Sequence, residues 1–341
     1  MDSHVPLSAR VPETPAPTLP TSPEGIDWRP ITAADFDDVF TLVRQMEVVD
    51  HPNFVTPREE LEEQLGRSYV SLDLDSLLAR DATGRAVAFG LSVLSPSQDT
   101  LVRTFLDGGV RPDARGLGIG RQVLAWQVKR GVQQFSTSDS LLPGWLMVWT
   151  DERANATVRL AERFDFRIAR YFLELRRDLA DPIIPRPLDG FEVVNFDRSM
   201  TESVRLARND SFRDHWGSQP VVQEDWISFI DSEVFRPDLS FVALAPNGDI
   251  AGFVLSVVNE EDFPGQGFSS AYLDLVGVPR AYRRRGVAPA LLTRTLQAVA
   301  EAGLDKAVLD VDSDNPSGAL GLYTGVGFAE SHRSLQLNRE F

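Results

Sequence analysis

The order of structural patterns in the first half of the chain is repeated in the second half. Each half reads as a strand, two helices, a three-strand meander, and then helix, strand, helix and strand. A glycine turn follows the meander in both halves, at Gly118 and again at Gly286. Such a repeat predicts two copies of one module, and 341 residues suffice for two domains of about 150 residues.

Composition along the chain sets the expected domain boundaries. Residues 1–24 are rich in proline and poor in large apolar side chains, which predicts a disordered tail. Residues 181–190 read DPIIPRPLDG, which is typical of a stiff linker. We therefore expect an N-terminal domain at residues 25–180 and a C-terminal domain at residues 191–341. The alternation of strands and helices predicts an α/β fold for both.

Several kinds of chemistry are excluded by composition. The chain has no cysteine, so it has no disulfides, thiolate metal sites or cysteine nucleophile. The four histidines are scattered and form no HExxH pair, so we expect no metal site. The net charge of -16 disfavours nucleic acids and anionic membranes, and it permits a cationic small substrate without identifying one. No long apolar run or secretory signal is present, so we expect a cytoplasmic protein.

Basic, glycine-bearing turns join a strand to a helix at the same place in both halves. Free backbone N–H groups at such a helix start, together with the helix dipole, are typical of an anion site. Neither turn has the spacing of a P-loop or of a dinucleotide fingerprint. A tight turn without a ligand is the alternative. The candidate anion-binding residues are Val110, Arg115, Gly116, Gly118, Ile119 and Gly120 in the first half, and Val278, Arg283, Arg284, Arg285, Gly286, Val287 and Ala288 in the second.

These turns resemble the pyrophosphate loop of the GNAT family of N-acetyltransferases, which has the form Arg/Gln-x-x-Gly-x-Gly/Ala. Both the Arg115 turn and the Arg283 turn match it, and Asn315, Tyr323 and the Gly327-Phe328 pair follow in the family's order. The resemblance covers about residues 26–341. It implies two tandem domains, each with a mixed, mostly antiparallel central sheet flanked by helices, as in the two-domain arrangement of mycothiol synthases.

The two halves do not carry the same family residues. Aligned on the phenylalanine of the Gly-Phe pair, Ala161 stands where the second half has Tyr323, and Asp165 replaces Gly327. The second half has the looser loop, because Ala288 stands in place of the last glycine. We therefore expect the chemistry in the C-terminal domain and a degenerate, mainly structural N-terminal domain.

The resemblance implies an acetyl-CoA-dependent transfer to the primary amine of a small molecule by direct attack on the thioester. An amine with a pKa of about 10 has to lose a proton first. Asp274, which faces the same side of its strand as Tyr272, is the candidate base, with Glu260 and Glu261 as competitors. A solvated strand face or a salt bridge is the other interpretation of Asp274.

Further roles follow from the resemblance. The backbone at Val276, Gly277 and Val278 would bind pantetheine, Asn315 would contact the cofactor, and Tyr323 would protonate the leaving thiolate unless it is a core tyrosine. The candidate acceptor residues are Phe212, Asp214, Trp216 and Tyr272. A helix end with a half-buried Trp216 is the alternative there. We expect Trp226, at helical spacing with Phe229 and Ile230, in the core.

The partner expected from the sequence is a small-molecule amine, and the protein is expected to be a monomer or a homodimer. Two other functions stay open at this stage. One is mycothiol synthase activity itself, and the other is an acyl-CoA-binding protein of the same fold without catalysis.

Overall fold

The computed structural model describes residues 5–314 and 318–341, and its contacts divide the chain into two compact units. Unit 1 consists of Met1–Arg170 together with Ser334–Phe341, and unit 2 consists of Tyr171–Arg333. None of the described helices is long and apolar enough to cross a membrane.

Unit 1 repeats the predicted order of elements, with two short helices added. Its helices are α1 (Leu7–Arg10), α2 (Phe36–Asp50), α3 (Arg58–Gly66), α4 (Leu72–Asp75), α5 (Ile119–Ser136) and α6 (Asn155–Glu162). Its strands are β1 (Asp27–Arg29), β2 (Ser76–Arg80), β3 (Ala86–Leu94), β4 (Val102–Val110) and β5 (Gly144–Asp151), followed by the first residues of β6 (Arg167–Asp178).

The sheet of unit 1 runs in the order β1-β2-β3-β4-β5. Its neighbouring strands are antiparallel, except that β4 and β5 are parallel. Val39 and Leu42 of α2 pack with Phe89 and Leu91 of β3 in one core cluster, whereas Val128 of α5 belongs to another. The sheet is therefore covered on both faces, as the burial of nearly every side chain of β3 requires.

Unit 2 has the same plan. Its helices are α7 (Thr201–Ser211), α8 (Gln223–Asp231), α9 (Phe263–Gln266), α10 (Val287–Glu301) and α11 (Ala319–Thr324). Its strands are β7 (Glu192–Asn195), β8 (Phe241–Leu244), β9 (Ile250–Val257), β10 (Ser270–Gly277) and β11 (Lys306–Asp312), together with most of β6 and the first residues of β12 (Ala329–Glu340).

The sheet of unit 2 runs in the order β6-β11-β10-β9-β8-β7, and only β10 and β11 are parallel. Leu291 and Leu296 of α10 pack against one face of this sheet. The second core cluster contains Val204 of α7 and Trp226 of α8, and Trp226 is 2% exposed. The predicted fold class and the core position of Trp226 are thus confirmed.

The N-terminal segment differs from the predicted disordered tail. Leu7 is fully buried, and its backbone N–H donates to the carbonyl of Ser140 at 2.7 Å. Its side chain lies against Gly144 and belongs to the same core cluster as Phe135. The burial of Leu7 and Val11 and the backbone hydrogen bonds of Leu7 and Ser8 hold this short helix, and the average composition of 24 residues does not reveal such contacts.

The domain boundaries also differ from the predicted ones at residues 180, 190 and 341. Strand β6 pairs with β11 from Asp178 to Phe172, so residues 171–190 belong to unit 2. Strand β12 pairs with β5 from Ser334 to Glu340, so the last residues belong to unit 1. A linear division of the sequence assumes that each half completes its own sheet, and strand pairing does not obey that assumption.

Candidate active site

Strands β10 and β11 of unit 2 separate at their carboxyl ends. Their parallel pairing runs from Ser270 opposite Lys306 to Tyr272 opposite Val308. Beyond this point β10 carries an extra residue, because its register with β9 shifts between Tyr272 and Leu275. Both strands continue beyond Tyr272 and Val308 without pairing to each other, and the space between them is called the cleft here. A bulge of this kind bends a strand.

The predicted glycine loop lies at the end of this cleft. Gly286 precedes α10 in the left-handed conformation, with φ of 81°, and Arg284 has φ of 60°. The first N–H groups of α10, which begins at Val287, have no partner within the helix and carry the positive end of its dipole. The loop thus fits a pyrophosphate group, and the left-handed position explains the glycine.

The arginines of this loop have two different roles. Arg283 donates to the carbonyls of Val278 at 3.2 Å and Ser211 at 2.8 Å, so it stabilises the loop from inside. Arg284 and Arg285 are exposed and can reach a phosphate. Arg284 and Arg285 are therefore the arginines of this loop that can be direct ligands of a phosphate group.

Asp214 is not where the sequence analysis expected it. Its carboxylate forms an ion pair with Arg280 and lies 3.4 Å from Arg283, and hydrogen bonding by Arg280 lowers its pKa. Asp214 therefore supports the loop, and its charge is already neutralised. This differs from its predicted place among the acceptor residues.

Unit 1 has a loop of the same construction. Gly116 and Gly118 both have positive φ, at the positions of Arg284 and Gly286. Arg115 donates to the carbonyl of Val110 at 2.9 Å and pairs with Asp50 at 2.7 and 2.8 Å, much as Arg283 pairs with Asp214. The repeat read from the sequence thus extends to the backbone conformation and to the arginine that fixes it.

Some predicted loop residues face the core. Ile119 and Val287, the first residues of α5 and α10, are buried at 1% and 2%, so only their backbones can contact a ligand. A Cβ at Gly120 would meet ordinary contact distances of 3.4 and 3.7 Å. The alanine at the matching position, Ala288, is therefore sterically acceptable, and it does not mark the second loop as defective.

A cavity of unit 1 has a volume of about 1110 Å³. It extends from the glycine loop to α6, where Ala161 occupies the position of Tyr323. The N–H of Phe166 donates to the carbonyl of Ala161, and the N–H of Phe328 donates to the carbonyl of Tyr323. The predicted equivalence of Ala161 and Tyr323 therefore holds in three dimensions. The volume suits a ligand of cofactor size.

Asp274 lies in the cleft of unit 2. Burial raises its pKa to about 6, the positive charge of Arg208 opposes this rise, and the negative charge of Asp310 adds to it. The protein surrounds the carboxylate closely, yet more than a third of the surface of the residue is exposed. A carboxylate in this position can accept a proton near neutral pH.

Asp310, a carboxylate beside Asp274, was not predicted from the sequence. Asp310 lies on β11, two residues after Val308, and Asp274 lies on β10, two residues after its partner Tyr272. The carboxylate of Asp310 accepts a hydrogen bond from the Tyr272 hydroxyl at 3.0 Å. Burial raises the pKa of Asp310 to about 6, and Glu174, opposite it on β6, adds to the rise. An acidic residue within a buried strand was the sequence signal that could have indicated Asp310. The residues next to its carboxylate, however, depend on the register of β11 with β10 and β6.

Tyr323 is 7% exposed on α11, and its ring packs edge-on against Phe328 at 6.0 Å. Burial raises the pKa of its phenol to about 12. None of the hydrogen bonds among the described residues involves its hydroxyl, and a tyrosine with a purely structural role would normally have such a partner.

The other predicted residues have these positions. Phe212 stacks edge-on with His215 at 4.7 Å, and Trp216 is half-buried after α7. Val276 and Gly277 pair with β9, and Val278 packs at the edge of the core. Glu260 and Glu261 lie in a short helical turn after β9. Asn315 lies outside the described residues.

Three comparisons place this fold and site among known proteins. The sequence profile of the Acetyltransferase (GNAT) family matches residues 201–328. The mycothiol acetyltransferase of Corynebacterium aurimucosum is 30% identical over 241 residues, which cover 64% of this chain and 72% of that protein.

Two solved structures share the fold over nearly the whole chain. A GCN5-related N-acetyltransferase from Sphaerobacter thermophilus has a TM-score of 0.68 at 22% identity, covering 94% of this chain and 97% of the other. A tandem GNAT protein from the clavulanic acid biosynthesis pathway has a TM-score of 0.66 at 16% identity, with coverage of 92% and 98%. The tandem arrangement predicted from the repeat is therefore confirmed. The chain belongs to the acetyltransferase (GNAT) family, and it is an N-acetyltransferase that uses acetyl-CoA as its cofactor.

Proposed function

We propose that the protein transfers an acetyl group from acetyl-CoA to the primary amine of a small molecule, and that unit 2 carries out the reaction. The observation that carries this proposal is the placement of Asp274 and Tyr323 in unit 2, one in the cleft beside the loop and the other on α11. Unit 1 has the same loop, but Ala161 stands in place of the phenol.

Acetyl-CoA supplies the acetyl thioester when bound. The N-terminal end of α10, with Gly286, Arg284 and Arg285, would hold its pyrophosphate. The end of β10 beyond the bulge would contact the pantetheine arm, as the sequence analysis predicted for Val276, Gly277 and Val278. These assignments agree with a loop that is open, positively charged and rich in free N–H groups.

The acceptor would enter the cleft on the side of Asp274. The amine arrives as an ammonium ion, and the carboxylates of Asp274 and Asp310 attract it. Asp274 then takes the proton, since its raised pKa brings it closer to that of the amine. The free amine would then attack the thioester carbonyl of bound acetyl-CoA, forming the C–N bond and breaking the C–S bond. The second proton lost by the nitrogen would replace the proton that Tyr323 gives to the sulfur.

Tyr323 would protonate the leaving thiolate. Its phenol stays protonated at neutral pH because burial raises its pKa to about 12. The hydroxyl lacks a partner among the described residues, so it can donate to the sulfur as negative charge develops there. Phe212 and Trp216 remain predictions for the apolar wall of the acceptor site.

A panel of amines tests this proposal. Acetyl-CoA binding is measured by calorimetry, and turnover is followed by release of the CoA thiol. We expect turnover with at least one aliphatic primary amine, and we expect Tyr323→Phe to lower kcat by about 10²-fold with unchanged acetyl-CoA affinity. Binding without turnover across the panel would contradict the proposal.

A second candidate acceptor is suggested by the comparison. The relative from Corynebacterium aurimucosum is a mycothiol acetyltransferase, which favours the unacetylated amine form of mycothiol as the substrate. That compound belongs in the panel, and a kcat/KM far above those of simple amines would select it. The cytoplasmic location and the monomer or homodimer expected from the sequence stay predictions.

A further inference from the structure

The turn that follows α11 fixes the end of the helix carrying Tyr323. The backbone carbonyl of Tyr323 accepts from the N–H groups of Val326 and Phe328, both at 3.1 Å. The carbonyl of Val326 in turn accepts from Nε of Arg177 at 3.0 Å. Arg177 is thus one hydrogen bond away from the turn that determines where Tyr323 lies.

The remaining donors of Arg177 bind a different segment of unit 2. Its Nη atoms donate to the carbonyls of Asp178, Asp181 and Pro182, the last at 3.0 Å. The side chain is nearly buried, at 4% exposure, and every guanidinium nitrogen has a partner. A buried guanidinium needs all these acceptors, so the turn and the proline-rich segment are held in one arrangement.

Gly327 lies directly against this guanidinium. A Cβ at Gly327 would come within 2.5 Å of Nε of Arg177, and the residue has φ of 94°. Both facts require glycine here. The glycine that the family pattern places before Phe328 therefore makes room for Arg177.

Unit 1 contains the same kind of contact. Nη1 of Arg339, on β12, donates to the carbonyl of Phe164 at 3.3 Å. Phe164 stands two residues before Phe166, as Val326 stands two before Phe328. In unit 1, however, the helix fixed in this way carries Ala161 and no phenol.

We propose that Arg177 is a positioning residue for Tyr323, which determines where the phenol lies by fixing the turn after α11. This inference rests on the proposed function of Tyr323. Misplacing a reacting group by about 1 Å can cost about 10²-fold in rate. Loss of the guanidinium should therefore affect kcat far more than cofactor binding.

The test is a double-mutant cycle on the full-length protein. We expect Arg177→Met to lower kcat by about 10- to 100-fold with unchanged acetyl-CoA affinity. In the Tyr323→Phe background the same substitution should change kcat by less than about twofold, because the group that it positions is gone. Arg177→Lys keeps a donor for Val326 and should recover part of kcat, and it also serves if Arg177→Met does not fold.

Arg339→Met is the matched control, since it removes the corresponding contact from unit 1. We expect it to lower the unfolding temperature and to leave kcat unchanged. An equal loss of kcat on changing Arg177, with or without the Tyr323 hydroxyl, would overturn the proposal. Full activity of the single variant Tyr323→Phe would show instead that the proposed function of Tyr323 is wrong. This single variant therefore distinguishes a failure of the proposed function from a failure of the proposal for Arg177.

Discussion

Replacement of Asp274 by asparagine is the most direct perturbation of the proposed reaction, because the two side chains have nearly the same shape. The carboxylate of Asp274 has a pKa raised to about 6 by burial. If it accepts the proton of the acceptor, kcat/KM of the wild type should fall about tenfold per pH unit below pH 6.

The magnitude follows from the fraction of ionised carboxylate. With a pKa of about 6, about nine tenths of the carboxylate is ionised at pH 7 and about one tenth at pH 5. Asp274→Asn should lower kcat/KM by about 10²- to 10⁴-fold at pH 7 and remove this acidic limb. The assay is CoA thiol release between pH 5 and pH 8 with a single amine.

The same substitution, Asp274→Asn, should raise the stability of the folded protein although it lowers the activity. The pKa of Asp274 is higher in the folded protein than its ordinary value of 3.8, so folding favours the protonated form. That contribution is present below pH 3.8 and is lost as the pH rises through 6. Asp274→Asn should therefore unfold at a higher temperature than the wild type at pH 7.

An unchanged kcat/KM of Asp274→Asn with an unchanged acidic limb would refute the assignment of Asp274 as the base.

Three further predictions follow from the structure. Gly286→Asp should abolish acetyl-CoA binding to unit 2, because it adds a side chain at φ of 81° and a negative charge to the anion site. The stoichiometry of acetyl-CoA binding in calorimetry measures this loss, and Gly118→Asp tests the loop of unit 1 in the same way. Asp310→Asn should move the acidic limb of kcat/KM to lower pH, because it removes a negative charge that raises the pKa of Asp274; an unmoved limb would contradict the coupling. Leu7→Ala should lower the free energy of unfolding by about 2–5 kcal/mol in urea denaturation, whereas a disordered tail predicts no change.

The two units keep the same loop and differ in the residues that we propose for the chemistry. Both retain the left-handed glycine and the arginine–aspartate pair of the loop. Only unit 2 has the bulge, since β4 pairs with β3 without a register shift. Unit 1 also lacks the phenol, and its open cavity adjoins Ala161. These differences support a catalytic unit 2 more strongly than the loop sequence did.

The loop and the fold were the parts most open to prediction from the sequence. Glycine turns, helix starts and strand alternation are local, so Gly286, α10 and β10 could be read from neighbouring residues. Asp310, Glu174 and Arg208 could not be found in this way. Asp310 and Arg208 approach Asp274, and Glu174 approaches Asp310, only through the register of β10, β11 and β6 and through the position of α7.

By itself, the sequence determined that the chain has two copies of an α/β module, that the loops suit a phosphate group, and that only the second copy carries Tyr323. Tertiary structure alone decided that β6 and β12 contribute to two different units, that Asp214 supports the loop, and that Arg177 reaches the turn beside Tyr323. The physical reason is that local patterns fix φ, ψ and burial, whereas ion pairs, raised pKa values and strand partners arise between residues that are distant in the chain.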